Sequence, residues 1–220
     1  ADASHELKTP LAIINTNIEL INSNEEDTIK NQKKWINYIS FQTERMSNLV
    51  NNLLYLAKAD NNEVLGVISK FNLSDAIMSQ LLSFEAIMYE NNLMLDSDIQ
   101  NDIEFTGDKE SINQVIGILM DNAIKHSYEK SSINVELKER KQKILLSVTN
   151  KGDTIPKEDI DKIFDRFYRV DKARAREKGG YGLGLSIAKS IVEKYKGKVG
   201  VTSENNITTF NIELSNKEKE

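Results

Sequence analysis

His5 is one of only two histidines in the chain, and "SHELKTP" sets an acid, Glu6, beside it and a hydroxyl, Thr9, four residues on. An imidazole becomes a nucleophile when one ring nitrogen presents its lone pair and the other keeps the proton. By its position His5 equally suits an ordinary surface histidine at a frayed helix end. A metal-hydrolase reading is poor: the other histidine is His126, no HExxH spacing is present, and the chain has no cysteine. A second region of chemical promise lies far along the chain, where six of the ten glycines fall between Gly179 and Gly200. In "GYGLGL", Gly180, Gly182 and Gly184 stand ahead of an apolar helical run, where phosphate can meet the backbone amides of a helix N-terminus. The stretch is neither a P-loop nor a dinucleotide fingerprint, since GxxxxGK[ST] is absent and a charged loop, not a strand, precedes it.

These residues need elements to position them. Leu7, Leu11, Ile14, Ile18 and Ile21 are spaced 4, 3, 4, 3, the narrow apolar seam of a helix. A second seam runs through Ile39, Gln42, Met46, Leu49, Leu53 and Leu56, and "NSNEED" breaks the chain between them. The pattern predicts a helical hairpin. One hairpin buries two seams badly and two make a four-helix bundle, so a homodimer is expected; the competing reading packs the hairpin on the chain's own second domain. On this heptad frame His5 and Thr9 lie one turn apart on the solvent side. Pro10 removes a backbone donor and predicts a bend.

Residues 61–70 read as a linker passing into a strand. Beyond them, "FNLSDAIMSQLLSFEAIMYENN" predicts a helix capped by Asn72 or Ser74, and "LMLDSDI" and "IEFTGD" short strands. "SINQVIGILMDNAIKHS" and "GLGLSIAKSIVEKYKG" predict helices; "INVELKERKQKILLSVTN" and "KVGVTSENNITTFNIELS" predict hairpins. The fold class is α+β: a helical hairpin, then an α/β sandwich with helices on one face of a mixed sheet. The expected domains are 1–62 (hairpin), 63–70 (linker), 71–215 (sandwich) and 216–220 (tail).

A net charge of −5 argues against a nucleic-acid partner. No apolar run reaches the roughly 18 residues of a membrane helix, and the start lacks the pattern of a signal peptide. The absence of cysteine fits the cytoplasm.

Five stretches in order resemble the boxes of the sensor histidine kinases of two-component systems. They are "SHELKTPL" (4–11), "DNAIKHS" (121–127), "VTNKGDTIP" (148–156), "IFDRFYRVDKAR" (163–174) and "GGYGLGLSIAKSIVEKYKG" (179–197). The resemblance implies that His5 accepts phosphate, that Glu6 takes its ring proton, and that Thr9 positions a water for dephosphorylating the partner. It implies ATP and Mg2+ as cofactors, with Asn122 the metal ligand and Lys125 and His126 reaching phosphate or ribose. Asn150, Gly152 and Ile155 fall in the box that receives adenine. Arg169 matches a contact to the γ-phosphate, and Gly180, Gly182, Leu183 and Gly184 form the phosphate loop. Phe164 and Phe167 read as hydrophobic anchors of a lid whose basic stretch contains Lys172, Arg174, Arg176 and Lys178.

Three positions depart from the family pattern. Asn150 stands for an aspartate, Thr154 for a glycine and Ile118 for an asparagine. A neutral amide bonds adenine more weakly than a carboxylate, so reduced selectivity over guanine is expected. Thr154 is expected to stiffen its loop.

The expected function is an ATP-dependent autokinase that phosphorylates His5, passes the phosphoryl group to an aspartate in a response regulator receiver domain, and removes it again. Only four residues precede His5, and the chain looks like the cytoplasmic portion of a membrane-anchored sensor. The alternatives are a degenerate scaffold that binds nucleotide and dimerises without catalysis, and an ATPase of the gyrase and Hsp90 kind, which has no need of "SHELKTP".

Overall fold

The computed structural model describes residues 3–61, 66–170 and 180–215. Lys172, Arg174, Arg176 and Lys178 of the expected lid lie outside the described residues, as does the tail 216–220. The chain forms two compact units: one holds the N-terminal helices to Ala57 together with Gly180 and Tyr181, the other runs from Lys58 to Val170 and from Gly182 onward.

The first unit is the hairpin of α1 (Ala3–Asn22) and α2 (Ile29–Asp60). Helix α1 continues through Pro10, which is buried; the proline removes the intrahelical bond to the Glu6 carbonyl without ending the helix. At the turn, the buried Gln32 donates from Nε2 to the carbonyls of Asn24 at 2.7 Å and Ile21 at 3.3 Å, supplying donors that the end of α1 lacks. Leu49 and Leu56 are buried in the seam, whereas Leu11 and Ile18 stay 49% and 42% exposed. The α1 seam is therefore only part-covered by α2.

The second unit runs β1 (Ser69–Asn72), α3 (Leu73–Leu82), α4 (Glu85–Glu90), β2 (Met94–Ile99), β3 (Glu104–Gly107), α5 (Lys109–His126), β4 (Ser132–Arg140) and β5 (Lys143–Lys151). Two 3-10 turns, Lys157–Asp159 and Lys162–Phe164, precede α6 (Gly184–Lys194), β6 (Lys198–Glu204) and β7 (Ile207–Ser215). The main sheet has the order β2-β4-β5-β7-β6, with β2 parallel to β4 and every other pair antiparallel. Alternation buries Ile133, Val135 and Leu137 of β4, Ile144, Leu146 and Val148 of β5, and Phe210, Ile212 and Leu214 of β7. Ile116, Leu119 and Met120 of α5 and Ile187, Ala188 and Ile191 of α6 cover that face. The expected one-sided sandwich is what forms.

The helix expected from Asn72 onward departs from its single-helix reading. Asn72 caps α3, its Oδ1 accepting from the Asp75 amide at 3.1 Å. The helix then stops, because Ser83 and Phe84 donate to the carbonyls three residues back and tighten the turn before α4 begins. Ser74, the other expected cap, instead donates to the Gln100 carbonyl at 2.6 Å and accepts from the Ile103 amide at 3.1 Å.

Candidate nucleotide site and phosphoacceptor helix

On α1, the His5 and Thr9 side chains are exposed and Glu6 is half-buried. The Thr9 hydroxyl turns back along the helix to 3.5 Å from the His5 carbonyl. The imidazole is open to a reaction partner, as a nucleophile requires.

The other candidates, Gly180 apart, lie in the second unit, and three elements bring most of them together. Helix α5 starts at Asp108, whose carboxylate accepts from the Ser111 amide at 3.1 Å, and its apolar side is buried under the sheet. Asn122 and His126 therefore fall one turn apart toward its C-terminal end, Asn122 half-buried and His126 exposed. The Lys125 ammonium sits 2.6 Å from the Asp121 carboxylate, an exposed pairing that a phosphate can displace at small cost.

The end of β5 packs against that last turn. Asn150 is buried, opposite Ile133 on one side and Thr208 on the other. A Cβ on Gly152 would lie 1.9 Å from the His126 carbonyl oxygen, so only glycine fits there. Beyond it every residue is pinned. The Gly152 amide donates to the Asn206 carbonyl at 3.0 Å, and the Ile155 amide to Ser203 Oγ at 2.8 Å. Tyr128 donates from its hydroxyl to Asp153 at 2.9 Å, which holds the phenol above its ordinary range. Thr154 Oγ1 accepts from the Asn206 amide at 3.0 Å and lies 3.3 Å from Asn206 Oδ1. Tyr128, Ser203 and Asn206 are absent from the residues expected from sequence, because their partners come from distant strands.

The third element is the start of α6. Gly182 has φ 70°, and a Cβ there would lie 2.6 Å from the Tyr168 carbonyl oxygen. The Gly182 carbonyl accepts from the Phe167 amide at 2.8 Å, while Phe167 itself adopts φ 63°. Gly184 lies against Ile118, one turn before Asn122; a Cβ on it would be 3.2 Å from Cγ2. Leu183 is buried at the N-cap and its apolar side chain offers no acceptor, so it leaves the first amides of α6 uncapped, with donors that suit an anion. Gly180, by contrast, meets nothing within 4 Å of a Cβ among the described residues. Phe164 meets Phe210 of the core edge-on at 6.4 Å, and Arg169 is half-buried beside that segment in sequence.

Residues 107–218 match the family described as Histidine kinase-, DNA gyrase B-, and HSP90-like ATPase, and residues 1–62 match the His Kinase A (phospho-acceptor) domain. The chain belongs to the histidine kinases. Sensor protein DltS of Streptococcus agalactiae is 36% identical to this histidine kinase chain over 214 residues, 97% of the chain and 53% of that protein. Signal transduction histidine-protein kinase ArlS of Staphylococcus aureus is 36% identical over 213 residues, 96% of the chain and 47% of that protein. The chain thus spans about half the length of the curated relatives it matches. Histidine kinase AdeS of Acinetobacter baumannii shares the fold, with a TM-score of 0.79 over 97% of this chain and 98% of that one, at 23% identity. Histidine kinase ThkA, solved in complex with response regulator protein TrrA, gives a TM-score of 0.77 at 27% identity, over 97% of this kinase chain and 60% of that one.

Proposed function

We propose that the chain is the autokinase core of a sensor histidine kinase, transferring the γ-phosphoryl group of ATP to a ring nitrogen of His5. The bond from the γ-phosphorus to the ADP oxygen breaks, a phosphorus–nitrogen bond forms, and the proton on the other ring nitrogen passes to Glu6. The observation that carries this reading is the pairing of chemistries in one chain. An exposed histidine beside an acid stands on one unit. On the other, Gly182, with no room for a Cβ, leads into a helix start whose N-cap residue, Leu183, makes no side-chain cap, and Gly152, equally without room, meets the last turn of α5.

The residues suit a nucleotide. Uncapped amides and Gly182 and Gly184 offer a cradle for phosphate, Arg169 a charge for its γ end, and Asn150, Gly152 and Ile155 a pinned wall for the base. The half-buried Asn122 amide is an oxygen donor of the kind Mg2+ takes, and bound Mg2+ would neutralise charge on the transferring group. Lys125 and His126 flank it on α5.

The part-covered seam at Leu11 and Ile18 supports a homodimer through the N-terminal helices. The ThkA–TrrA complex supports a response regulator as the phosphoryl acceptor, with Thr9 placed for the reverse reaction. We assign the hairpin to residues 1–62, the linker to 63–70 and the nucleotide domain to 71–215. We place the whole on the cytoplasmic side of a membrane-anchored sensor, since half the length of DltS and ArlS lies beyond what it matches. Among the described residues no helix is long and apolar enough to cross a membrane.

The test is incubation with γ-labelled ATP and Mg2+, beside His5→Gln. Acid-labile, alkali-stable label that disappears in the variant is expected. ATP binding without any label, in a dimer, would instead fit a scaffold.

A further inference from the structure

The loop from Gly152 to Ile155 carries a threonine where related kinases place a glycine, and the fold gives that threonine a partner. Thr154 Oγ1 accepts from the Asn206 amide at 3.0 Å and stands 3.3 Å from Asn206 Oδ1, while the Asn206 carbonyl takes the Gly152 amide at 3.0 Å. One residue of the β6–β7 turn therefore holds two residues of the loop through three of its own polar atoms. Asn206 can do so because the turn sets it at φ 62°, a left-handed conformation that asparagine accepts more readily than most side chains. The turn is anchored in its own right, since Ser203 and Thr208 meet hydroxyl to hydroxyl at 2.7 Å and Ser203 also receives the Ile155 amide.

We infer that Thr154 and Asn206 form a clasp that positions the base-binding loop of this kinase, making Asn206 a positioning residue for nucleotide recognition although it lies outside every box of the family. The inference rests on the nucleotide reading of Asn150 and Gly152 above. A free glycine-containing loop must be ordered when ligand arrives, and that ordering subtracts from affinity; a loop already fixed loses less. The clasp thus offsets the weaker, uncharged bond that Asn150 can make. Its effect is confined to the adenine side, because the phosphate cradle at α6 is built from a different stretch of chain.

The experiment measures binding of a non-hydrolysable ATP analogue, adenosine and tripolyphosphate to the full chain and to three variants. Thr154→Val removes the hydroxyl and keeps the shape; Thr154→Ser keeps the hydroxyl; Asn206→Gly keeps the turn and removes Oδ1. Losing these two hydrogen bonds in Thr154→Val is expected to weaken ATP analogue and adenosine about five- to tenfold and leave tripolyphosphate unchanged. Thr154→Ser should restore the affinity, and Asn206→Gly should fall between. Parent-like adenosine binding by Thr154→Val overturns the clasp while the nucleotide reading stands. Equal losses for adenosine and tripolyphosphate, with a lower melting temperature, would reduce the clasp to general stability and also overturn it. A parent chain that binds none of the three overturns the nucleotide reading itself.

Discussion

Gly152 approaches the last turn of α5 so closely that a Cβ on it would lie 1.9 Å from the carbonyl oxygen of His126. Backbone meets backbone there, and no side chain can swing aside. Gly152→Ala should therefore push β5 and α5 apart, costing about 1–3 kcal/mol and most of the ATP affinity. Gly180→Ala, which meets nothing within 4 Å among the described residues, should leave the melting temperature within a degree or two of the parent. Thermal denaturation of the two variants side by side checks both.

The β4–β5 turn holds Lys141 at φ 50° and Gln142 at φ 62°, a two-residue reversal of the type that favours Asn-Gly. Lysine and glutamine have no local compensation for a left-handed backbone. The double change Lys141→Asn with Gln142→Gly should raise stability by about 1 kcal/mol, read as a higher midpoint in urea. The β6–β7 turn already has Asn205 and Asn206 in the matching positions, so the same exchange there should gain less.

Asn150 is 3% exposed, so Asn150→Asp would put a carboxylate where water cannot solvate it. Without nucleotide the variant should melt lower than the parent. With ATP the loss should reverse, since the exocyclic amine of adenine then donates to a charge. The preference for ATP over GTP in a competition assay should rise by roughly tenfold. An unchanged ratio would show that the base sits elsewhere.

Tyr195 accepts from the Asp108 amide at 2.9 Å and lies edge-on to Phe105 at 5.4 Å. Burial raises its phenol above the ordinary value of 10.0, with the bond from Asp108 acting in the opposite direction. The fold thus keeps the phenol protonated where the unfolded chain would ionise it. Its contribution is complete below pH 10 and is lost as pH rises through the folded value. Denaturation midpoints should fall above pH 10, and Tyr195→Phe should flatten that fall while costing about 1 kcal/mol at neutral pH.

The hairpin seams, the strand alternation and the glycine positions were readable because each is a periodic or local property. The break at Ser83 and Phe84 was not, because Ile77, Leu81, Phe84 and Met88 keep a helical 4, 3, 4 spacing straight across it. The pairing of β1 with β3 was equally hidden, since four residues on each strand leave no pattern that names a partner. At the candidate site, Asn122, Asn150 and the glycines are named by resemblance alone, and Thr154 is expected only to stiffen its loop, with no reason for it among neighbouring residues. Its reason lies 52 residues away at Asn206, and no spacing rule connects the two.

Strand β7 is inserted between β5 and β6, pairing from Lys143↔Ser215 to Lys151↔Ile207. The stretch from Gly152 to Asn206 is thereby a loop closed by a ladder, and it holds Arg169, Gly182 and Gly184 of the proposed phosphate cradle. Closing such a loop costs entropy that grows only with the logarithm of its length, about 0.6 kcal/mol for each doubling. The two flanking hairpins can form in microseconds, whereas the β5–β7 join must wait for distant ends to meet. Insertions between "VTNKGDTIP" and "GGYGLGL" should accordingly slow refolding more than they lower the melting point, so this stretch can change length while the pairings of the sheet stay the same.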